Sequence, residues 1–248
     1  PPNGKCSNGL NAYDVWRNAG VRAEDFLVPA ATARQRENYS ESLLWYQSAQ
    51  RMGLELRGTI LYVRFLHYRK LGDEQKAREM LKRAAYQEKG WMSQDERIYA
   101  MFEYANTMLL QEGYAEAEKF YIKVFKLIES EQRFQQLRQT IIFHLGSMYA
   151  YTGQSDKALP LLKISIENNP SNFYAYLNYG IALYWKNPHE LDPVKRYFDE
   201  AIRVSGDSLK AWESVIIFWR DRNLLSEQEA YCRRAMEQGI TSMLCPSR

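Results

Sequence analysis

The stretch QTIIFHLGSMYAYTGQSDKALPLLKISIENNP, residues 139–170, carries the pattern that decides the fold. Apolar residues recur at helical spacing on both sides of a polar turn, Thr152-Gly153-Gln154. Pro170 follows the second apolar segment, and a proline ends a helix because its nitrogen cannot donate the helical hydrogen bond. The stretch therefore predicts two short antiparallel helices joined by a tight turn.

Small and large side chains alternate at fixed positions in this stretch. Gly146, Ala158 and Ser165 are small, which allows the two helices to approach each other closely. Tyr149 and Leu162 are large and apolar, and they fill the space up to the next helix pair. Together with the turn and the closing proline, this spacing resembles the tetratricopeptide repeat, a helix–turn–helix unit of about 34 residues.

The same spacing recurs along most of the chain. Similar units begin near Ala23, Gly58, Ile98, Gln139, Phe173 and Leu209. Two units are longer than the others, with extra residues at 89–97 and 130–138. The first insertion contains Gly90 and a helix-start signal at Ser93, with Glu96 three residues later. The second, SEQRFQQLR, contains no helix breaker and predicts a longer helix.

The resemblance implies an all-α fold, a right-handed superhelical solenoid of antiparallel helix pairs. Residues 1–22 are predicted to form an N-terminal tail and a lid helix, residues 23–239 six helix pairs, and residues 240–248 a C-terminal tail. The first and last units match the pattern least, which is expected of terminal repeats that present a polar outer face to water. A helical solenoid of another repeat family is the competing fold.

The lid helix is predicted at residues 11–19, before a glycine at position 20. Helical spacing places Val15, Trp16 and Ala19 on one face, which we expect to pack on the first helix pair. A surface helix without that role is the alternative interpretation.

Composition and charge limit the classes of function. Hydrophobic residues make up 46% and charged residues 25%, which is ordinary for a globular protein. The net charge is +3, and basic and acidic residues are interspersed without a basic block, which argues against a nucleic-acid partner. No apolar run approaches the ~20 residues of a membrane span. The chain begins at Pro1 rather than Met, which predicts a part of a longer or processed protein and leaves its compartment open.

The three cysteines form no CxxC motif, and their odd number argues against a full disulfide framework. Cys232 lies within a helical pattern and is predicted to be a small buried apolar residue. Cys6 and Cys245 lie in the two predicted tails, so a bridge between them would require the chain ends to meet.

No arrangement of residues predicts catalysis. His67, His144 and His189 are far apart in the sequence, and none lies in a metal-ligand spacing such as HExxH. The GxSxG, GxGxxG and GxxxxGK[ST] motifs are absent from the sequence. Acidic pairs such as Asp73-Glu74 lie at turns and helix starts, where they offset the helix dipole. We therefore predict no catalytic residues, no metal site and no cofactor.

In the tetratricopeptide family, the first helix of each unit lines the concave face. Carrying that placement over by spacing gives candidate groove residues at Tyr62, Arg69, Tyr99, Phe102, Asn106, Phe143, His144, Ser147, Tyr151, Tyr174, Asn178, Tyr184, Trp185 and Arg220. Aromatic rings among amide, imidazole and hydroxyl groups suit an extended peptide or a sugar chain. The alternative is that some of these rings pack against the next repeat, and that His144 is a hydrogen-bonded packing residue.

The resulting prediction is a non-catalytic scaffold that mediates protein–protein interaction by binding a protein or an extended peptide segment. A two-carboxylate clamp of Lys, Asn and Arg, known in some family members, is absent, since its places hold Leu27, Ala31, Val63 and Leu66. The alternative is a water-exposed accessory region of a membrane-bound protein that assembles or transfers polysaccharide, with a groove that binds glycan. The residues that precede Pro1 in the parent protein would separate these hypotheses.

Overall fold

The computed structural model describes residues 12–245, and this part of the chain is helical, without a β-strand. The α-helices are α1 (Ala12–Asn18), α2 (Leu27–Gln35), α3 (Tyr39–Arg51), α4 (Arg57–Lys70), α5 (Glu74–Ala85), α6 (Gln94–Leu110), α7 (Tyr114–Ile128), α8 (Gln135–Tyr151), α9 (Ser155–Asn168), α10 (Phe173–Lys186), α11 (Leu191–Val204), α12 (Leu209–Asp221) and α13 (Leu225–Glu237). Short 3-10 turns cover Ala23–Phe26 and Gln132–Phe134. The predicted tail at residues 1–10 and Cys6 lie outside the described residues.

The described helices form two compact units, residues 12–127 and residues 128–245. In the first unit, α2 packs on α3, α4 packs on α5, and side chains of α6 meet those of α7. In the second unit, α8 packs on α9, α10 on α11 and α12 on α13. Successive first helices also touch, α4 with α6, α8 with α10, and α10 with α12. Each unit is thus a stack of helix pairs, as the resemblance implies.

The turns inside several helix pairs share one backbone design. In each of these turns, a single residue shortly after the end of the first helix has a positive φ. This conformation lets the chain reverse its direction over a few residues. The residues with this conformation are Glu37, Gly72, Glu112, Gly153 and Asn223. Glycine adopts it without a steric penalty, whereas a residue with a side chain pays roughly 1–2 kcal/mol. In the turn between α6 and α7 the positive φ belongs to Glu112, one position before the glycine that the repeat pattern marks.

Small positions in the repeat pattern mark close contacts between paired helices. A Cβ on Gly146 would lie 2.9 Å from Cγ of Leu162, and a Cβ on Gly180 would lie 2.6 Å from a ring carbon of Phe198. Both separations are too short for a real Cβ, so α8 approaches α9, and α10 approaches α11, as closely as glycine allows. Leu162 and Phe198 are fully buried, which confirms the predicted alternation of small and large residues.

The insertion at residues 89–97 docks on the start of α4. The backbone N–H of Thr59 donates to the carbonyl of Gly90 at 3.0 Å. The ring of Trp91 covers Gly58 so closely that a Cβ there would lie 2.5 Å from it. The extra residues therefore form a fixed connection rather than a loose loop.

The predicted helix start at Ser93 is confirmed. Its hydroxyl oxygen accepts a hydrogen bond from the backbone N–H of Glu96 at 3.2 Å, and α6 begins at the next residue. The carboxylate of Glu96 does not return to the cap, because it turns to Thr59 and accepts from that hydroxyl at 2.6 Å. The backbone N–H of Glu96 thus serves the helix cap, and its carboxylate serves the contact with Thr59.

The second insertion, residues 130–138, is not the continuous helix that the sequence predicts. The helix α7 ends at Ile128, a 3-10 turn follows, and α8 begins at Gln135. The guanidinium of Arg138 donates to the carbonyls of Ile128 and Glu129, which satisfies free groups at the end of α7. Phe134 is buried beside this break. The prediction was wrong because a side chain caps the helix where the sequence has no breaker.

The helix α1 buries a different face from the one that the sequence predicts. Tyr13 is buried, whereas Val15 and Ala19 are exposed. Trp16, which belongs to the predicted face, packs between Tyr13 and Phe26 with ring centroids 5.3 Å from each. The prediction was wrong for two of its three residues, because rotating the helix buries a tyrosine ring in place of a smaller valine.

Cys232 and Cys245 form a disulfide bond, which corrects the prediction that Cys232 is only a buried apolar residue. Cys232 is buried on α13, and the bond holds the segment that follows this helix. The hydroxyl of Ser242 in that segment donates to Glu213 of α12 at 2.8 Å. An odd number of cysteines excludes complete pairing, and it does not exclude one bridge.

Candidate functional site

Two candidate residues of α4 lie in a stacked aromatic cluster. Tyr62 is half-buried, with its ring centroid 5.7 Å from that of Phe65 and 6.5 Å from that of Trp91. Burial raises the pKa of Tyr62 to about 12, so the phenol stays protonated at neutral pH. Arg69 lies over the Phe65 ring at 4.8 Å and pairs with Glu103 at 3.9 Å. These contacts engage both candidate residues within the first unit.

The candidate residues of α6 are divided between surface and packing. Tyr99 is 44% exposed. Asn106 accepts a hydrogen bond from the hydroxyl of Tyr121 at 2.6 Å, and the ring of Phe102 lies 6.1 Å from the ring of Tyr121. Burial raises the pKa of Tyr121, which keeps its hydroxyl a donor to this amide. Asn106 and Phe102 thus join α6 to α7.

A partly buried ion pair that the sequence pattern does not reveal lies between α2, α4 and α6. Glu96 accepts from the guanidinium of Arg34 and from the hydroxyl of Thr59, and Thr59 in turn accepts from the backbone N–H of Met92. Burial works to lower the pKa of Arg34, but the charge and hydrogen bond of Glu96 outweigh it, and the pKa is raised. The pattern offered no signal, because Arg34 and Glu96 are 62 residues apart.

The second unit contains an open cleft of about 330 Å³, which we call the central cleft, between α8, α10 and α12. Its lining consists of Tyr151, Tyr174, Leu177, Ile181, Ser214, Ile217, Phe218, Asp221 and Arg222. Leu177, Ile181 and Phe218 are buried beneath the surface, while Tyr151 is 58% and Ile217 is 36% exposed. The cleft is therefore an apolar floor with exposed apolar side chains on its wall.

One end of the central cleft carries rings packed edge to face and a guanidinium. Tyr184 packs edge-on against Phe218 with ring centroids 5.2 Å apart, and its ring lies 5.8 Å from that of Trp185. Arg222 lies 4.8 Å from the Trp185 ring, and its Nε is buried without a hydrogen-bond partner. At the other ends of α10 and α12, where both helices begin, Lys210 lies 5.3 Å from the ring of Tyr174. The attraction between a cation and a ring face holds both side chains against their rings.

Other candidate residues of the second unit lie deeper. Asn178 and Ser147 are buried, and the Asn178 amide donates to the Ser147 hydroxyl at 2.7 Å, which joins α10 to α8. The Oδ1 of Asn178 has no hydrogen-bond partner. His144 lies 5.7 Å from the ring of Phe143, and burial lowers the pKa of His144, so its imidazole is neutral at neutral pH. Arg220 is exposed and pairs with the neighbouring aspartate.

The structure thus brings together Tyr151 and Tyr174 in the central cleft, with Tyr184 and Trp185 at its end. The contribution of α12 to the cleft was not predicted from the sequence. Ile217 lies three residues before the candidate residue Arg220. Its position in the last repeat is equivalent to that of Ser147 and Ile181 in the two preceding repeats. That spacing was the available signal.

Within residues 12–245, no group of three or more His, Cys, Asp or Glu side chains is placed to hold a metal ion. None of the helices described there has both the length and the apolar character that crossing a bilayer requires.

Comparison with known proteins identifies the fold. No model of a protein family matches the chain. The photosystem I assembly protein Ycf3 of Acaryochloris marina (strain MBIC 11017) is 35% identical over 66 residues. This match covers 25% of the chain, which spans only 40% of the length of that relative.

Three solved structures have a similar fold. YrrB, described as a TPR protein with an unusual peptide-binding site, has a TM-score of 0.59 at 18% identity, over 82% of this chain and 97% of its own. MamA from Desulfovibrio magneticus RS-1 has a TM-score of 0.54 at 16% identity, over 73% of this chain and 94% of its own. PilF of Pseudomonas aeruginosa has a TM-score of 0.51 at 14% identity, over 94% of this chain and 96% of its own.

Proposed function

We propose that this chain, which has the tetratricopeptide-repeat fold, is a non-catalytic scaffold that binds an extended segment of a partner protein in the central cleft. The observation that carries the proposal is the exposure of Tyr151 and Ile217 on the wall of an apolar concavity. Covering exposed apolar side chains with a ligand removes apolar surface from water, which favours binding. The concavity lets a ligand contact three helices at once.

The polar groups of the cleft favour a peptide. Asp221 and Arg222 line the cleft together, so the site offers charges of both signs beside its apolar floor. The guanidinium of Arg222 lines the cleft and can donate to a carbonyl or carboxylate oxygen of the bound segment. The Ser214 hydroxyl donates to the carbonyl of Lys210 at 2.7 Å, so it remains available as an acceptor. A main chain with an apolar side chain directed into the floor meets all of these groups.

The fold of YrrB gives independent support. That protein is described as having a peptide-binding site, and its fold resembles this one over most of both chains. A stack of helix pairs is suited to such binding because its curved inner surface presents side chains from several repeats to one ligand.

The test selects binders from a phage-displayed library of random peptides on the full chain. Selected peptides are then measured by calorimetry against Tyr151→Ala combined with Ile217→Ser. We expect the affinity to fall by about tenfold or more, since two apolar contacts near the centre of the site are lost. The matched control is Ile164→Ser on α9, which is 40% exposed and does not line the cleft.

Binding that is unchanged in the cleft variant would refute the proposal, as would equal losses in the cleft variant and the control. The proposal would also be refuted if the selected peptides contact only residues 12–127 of the full chain. A glycan array with the same protein tests the competing ligand class. Binding to glycans that is abolished by Trp185→Ala and by Tyr151→Ala, without peptide binding, would assign the cleft to sugars instead.

A further inference from the structure

A second cavity, of about 210 Å³, lies away from the central cleft and shares no lining residue with it. We call it the amide cavity. It is lined by Gln136, Gln139, Thr140, Phe143, Ser165, Asn168, Asn169 and Asn172, from the start of α8, the end of α9 and the turn into α10. We propose that the amide cavity binds a neutral sugar residue of an oligosaccharide.

The amide groups in this cavity are free to bind. The side chains of Gln136, Gln139 and Asn168 make no hydrogen bond with any described residue, and the Oδ1 of Asn169 accepts only from Ser171, at 2.8 Å. Asn172 is the N-cap residue of α10, yet its side chain makes no capping hydrogen bond. Asparagine at that position usually caps the helix, so its amide is left for another partner.

A hydroxyl group in the lining points to the same conclusion. Ser165 is only 6% exposed, lines the amide cavity, and makes no side-chain hydrogen bond with a described residue. The Ser165 hydroxyl oxygen is not sealed from solvent, so it can form a hydrogen bond with a ligand hydroxyl in the cavity. Thr140, in contrast, bonds to the carbonyl of Gln136 at 3.0 Å.

The chemistry of the lining selects a neutral sugar. No charged residue lines the amide cavity, so neither an anion nor a cation gains an ion pair there. Amides present donors and acceptors side by side, which matches vicinal hydroxyl groups that do both. Phe143 supplies the one aromatic ring for the apolar face of a sugar. The volume is below the ~300 Å³ of sites for drug-sized ligands, so the cavity takes about one ring of a longer chain.

An extended peptide fits the amide cavity less well. A peptide main chain presents one donor and one acceptor per residue at intervals of about 3.4 Å along a line. Five amides gathered in one small cavity exceed what a single peptide group can satisfy. The hydroxyl groups of a sugar ring are gathered in the same way.

The experiment titrates the full, isotope-labelled chain with malto-, cello- and chito-oligosaccharides and with oligogalacturonate as the acidic member. We expect a neutral oligosaccharide to shift the side-chain amide resonances of Gln136, Gln139 and Asn172, with little dependence on salt. Gln139→Ala combined with Asn172→Ala should weaken this binding by about tenfold or more, as the loss of one or two hydrogen bonds does. The matched control combines Gln132→Ala with Gln135→Ala, two exposed glutamines outside the cavity.

The proposal is overturned if none of the neutral oligosaccharides shifts those amides, or if both double variants lose binding equally. Tighter binding of oligogalacturonate, or larger shifts with a flexible Gly-Ser peptide, would also overturn it. The central-cleft variant, Tyr151→Ala with Ile217→Ser, should leave the sugar titration unchanged. Failure at one site is thereby distinguished from failure at the other.

Discussion

The two units build the same helix-pair plan with different interiors. Residues 12–127 bury charge, since Glu96 is 8% exposed and is bound by Arg34 and Thr59. Both units bury rings, such as Tyr46 and Phe120 in the first, but residues 128–245 bury the largest ones, Trp212 and Trp219. The difference follows from the insertion in the first unit. A connecting segment is positioned by directional hydrogen bonds, whereas helix on helix is held by apolar contact that has no direction.

The two units also differ in how far their candidate groove residues are engaged in internal contacts. In the first unit, Arg69 is paired with Glu103 and Asn106 is bonded to α7, so internal contacts occupy these candidate residues. In the second unit, the central cleft keeps Tyr151 and Ile217 exposed.

The largest expected effect is the loss of a ring from the second unit. Trp219→Ala should lower the free energy of unfolding by about 4 kcal/mol, because a fully buried ring in contact with Phe198 is replaced by a cavity. Urea unfolding and hydrogen exchange measure the effect, and exchange should increase in residues 128–245. Trp185→Ala is the matched control, since that ring is 39% exposed. Equal losses in both variants would contradict the aromatic core.

The second largest expected effect is the loss of stability when the ion pair of the first unit is broken. Glu96→Ala should cost about 3 kcal/mol, because Arg34 and the Thr59 hydroxyl are left without their partner. Replacing both charges, by Arg34→Met with Glu96→Leu, should restore much of that stability. Urea unfolding gives the free energies, and Glu103→Ala, which removes an exposed pair, should cost below about 1 kcal/mol. A double variant as unstable as Glu96→Ala would show that the ion pair is not the cause.

The disulfide bond should contribute less than these interiors. Cys232 and Cys245 close a loop of 13 residues, and opening a loop of that size costs about 2–3 kcal/mol. In a Cys6→Ser background, Cys245→Ser should lower the melting temperature and make it insensitive to reductant. The background protein should lose the same amount of stability when reduced. A reductant effect that persists in the variant would place the sensitive bond elsewhere.

The smallest expected effect is a pH dependence of the second unit through His144. Its pKa is lowered in the folded chain by burial, so the unfolded chain binds a proton first as the pH falls below about 6.5. Stability should therefore be full above that pH and decline below it, until the pH reaches the folded pKa. Thermal unfolding of His144→Gln, with the exposed His189→Gln as control, should show a weaker decline only for His144→Gln. Equal declines would exclude His144 as the source.

The repeat pattern predicted the parts of the fold that depend on local chemistry. Gly146 and Gly180 marked close approaches between paired helices, and Ser93 marked the start of α6. The predictions for α1 and for residues 130–138 were wrong, since the burial of Tyr13 and the cap supplied by Arg138 depend on neighbours that spacing does not reveal. The groove residues remain predictions that the binding experiments test.

Short-range periodicity was enough to establish helices, turns and their pairing, because each of these depends on residues within one repeat. Long-range contacts were settled by packing. The Arg34–Glu96 pair joins residues 62 positions apart, and the Cys232–Cys245 bond depends on how the last segment folds back. The central cleft likewise exists only where α8, α10 and α12 meet. Such features combine side chains from different repeats, and their meeting depends on the angles between helices, which no spacing in the sequence encodes.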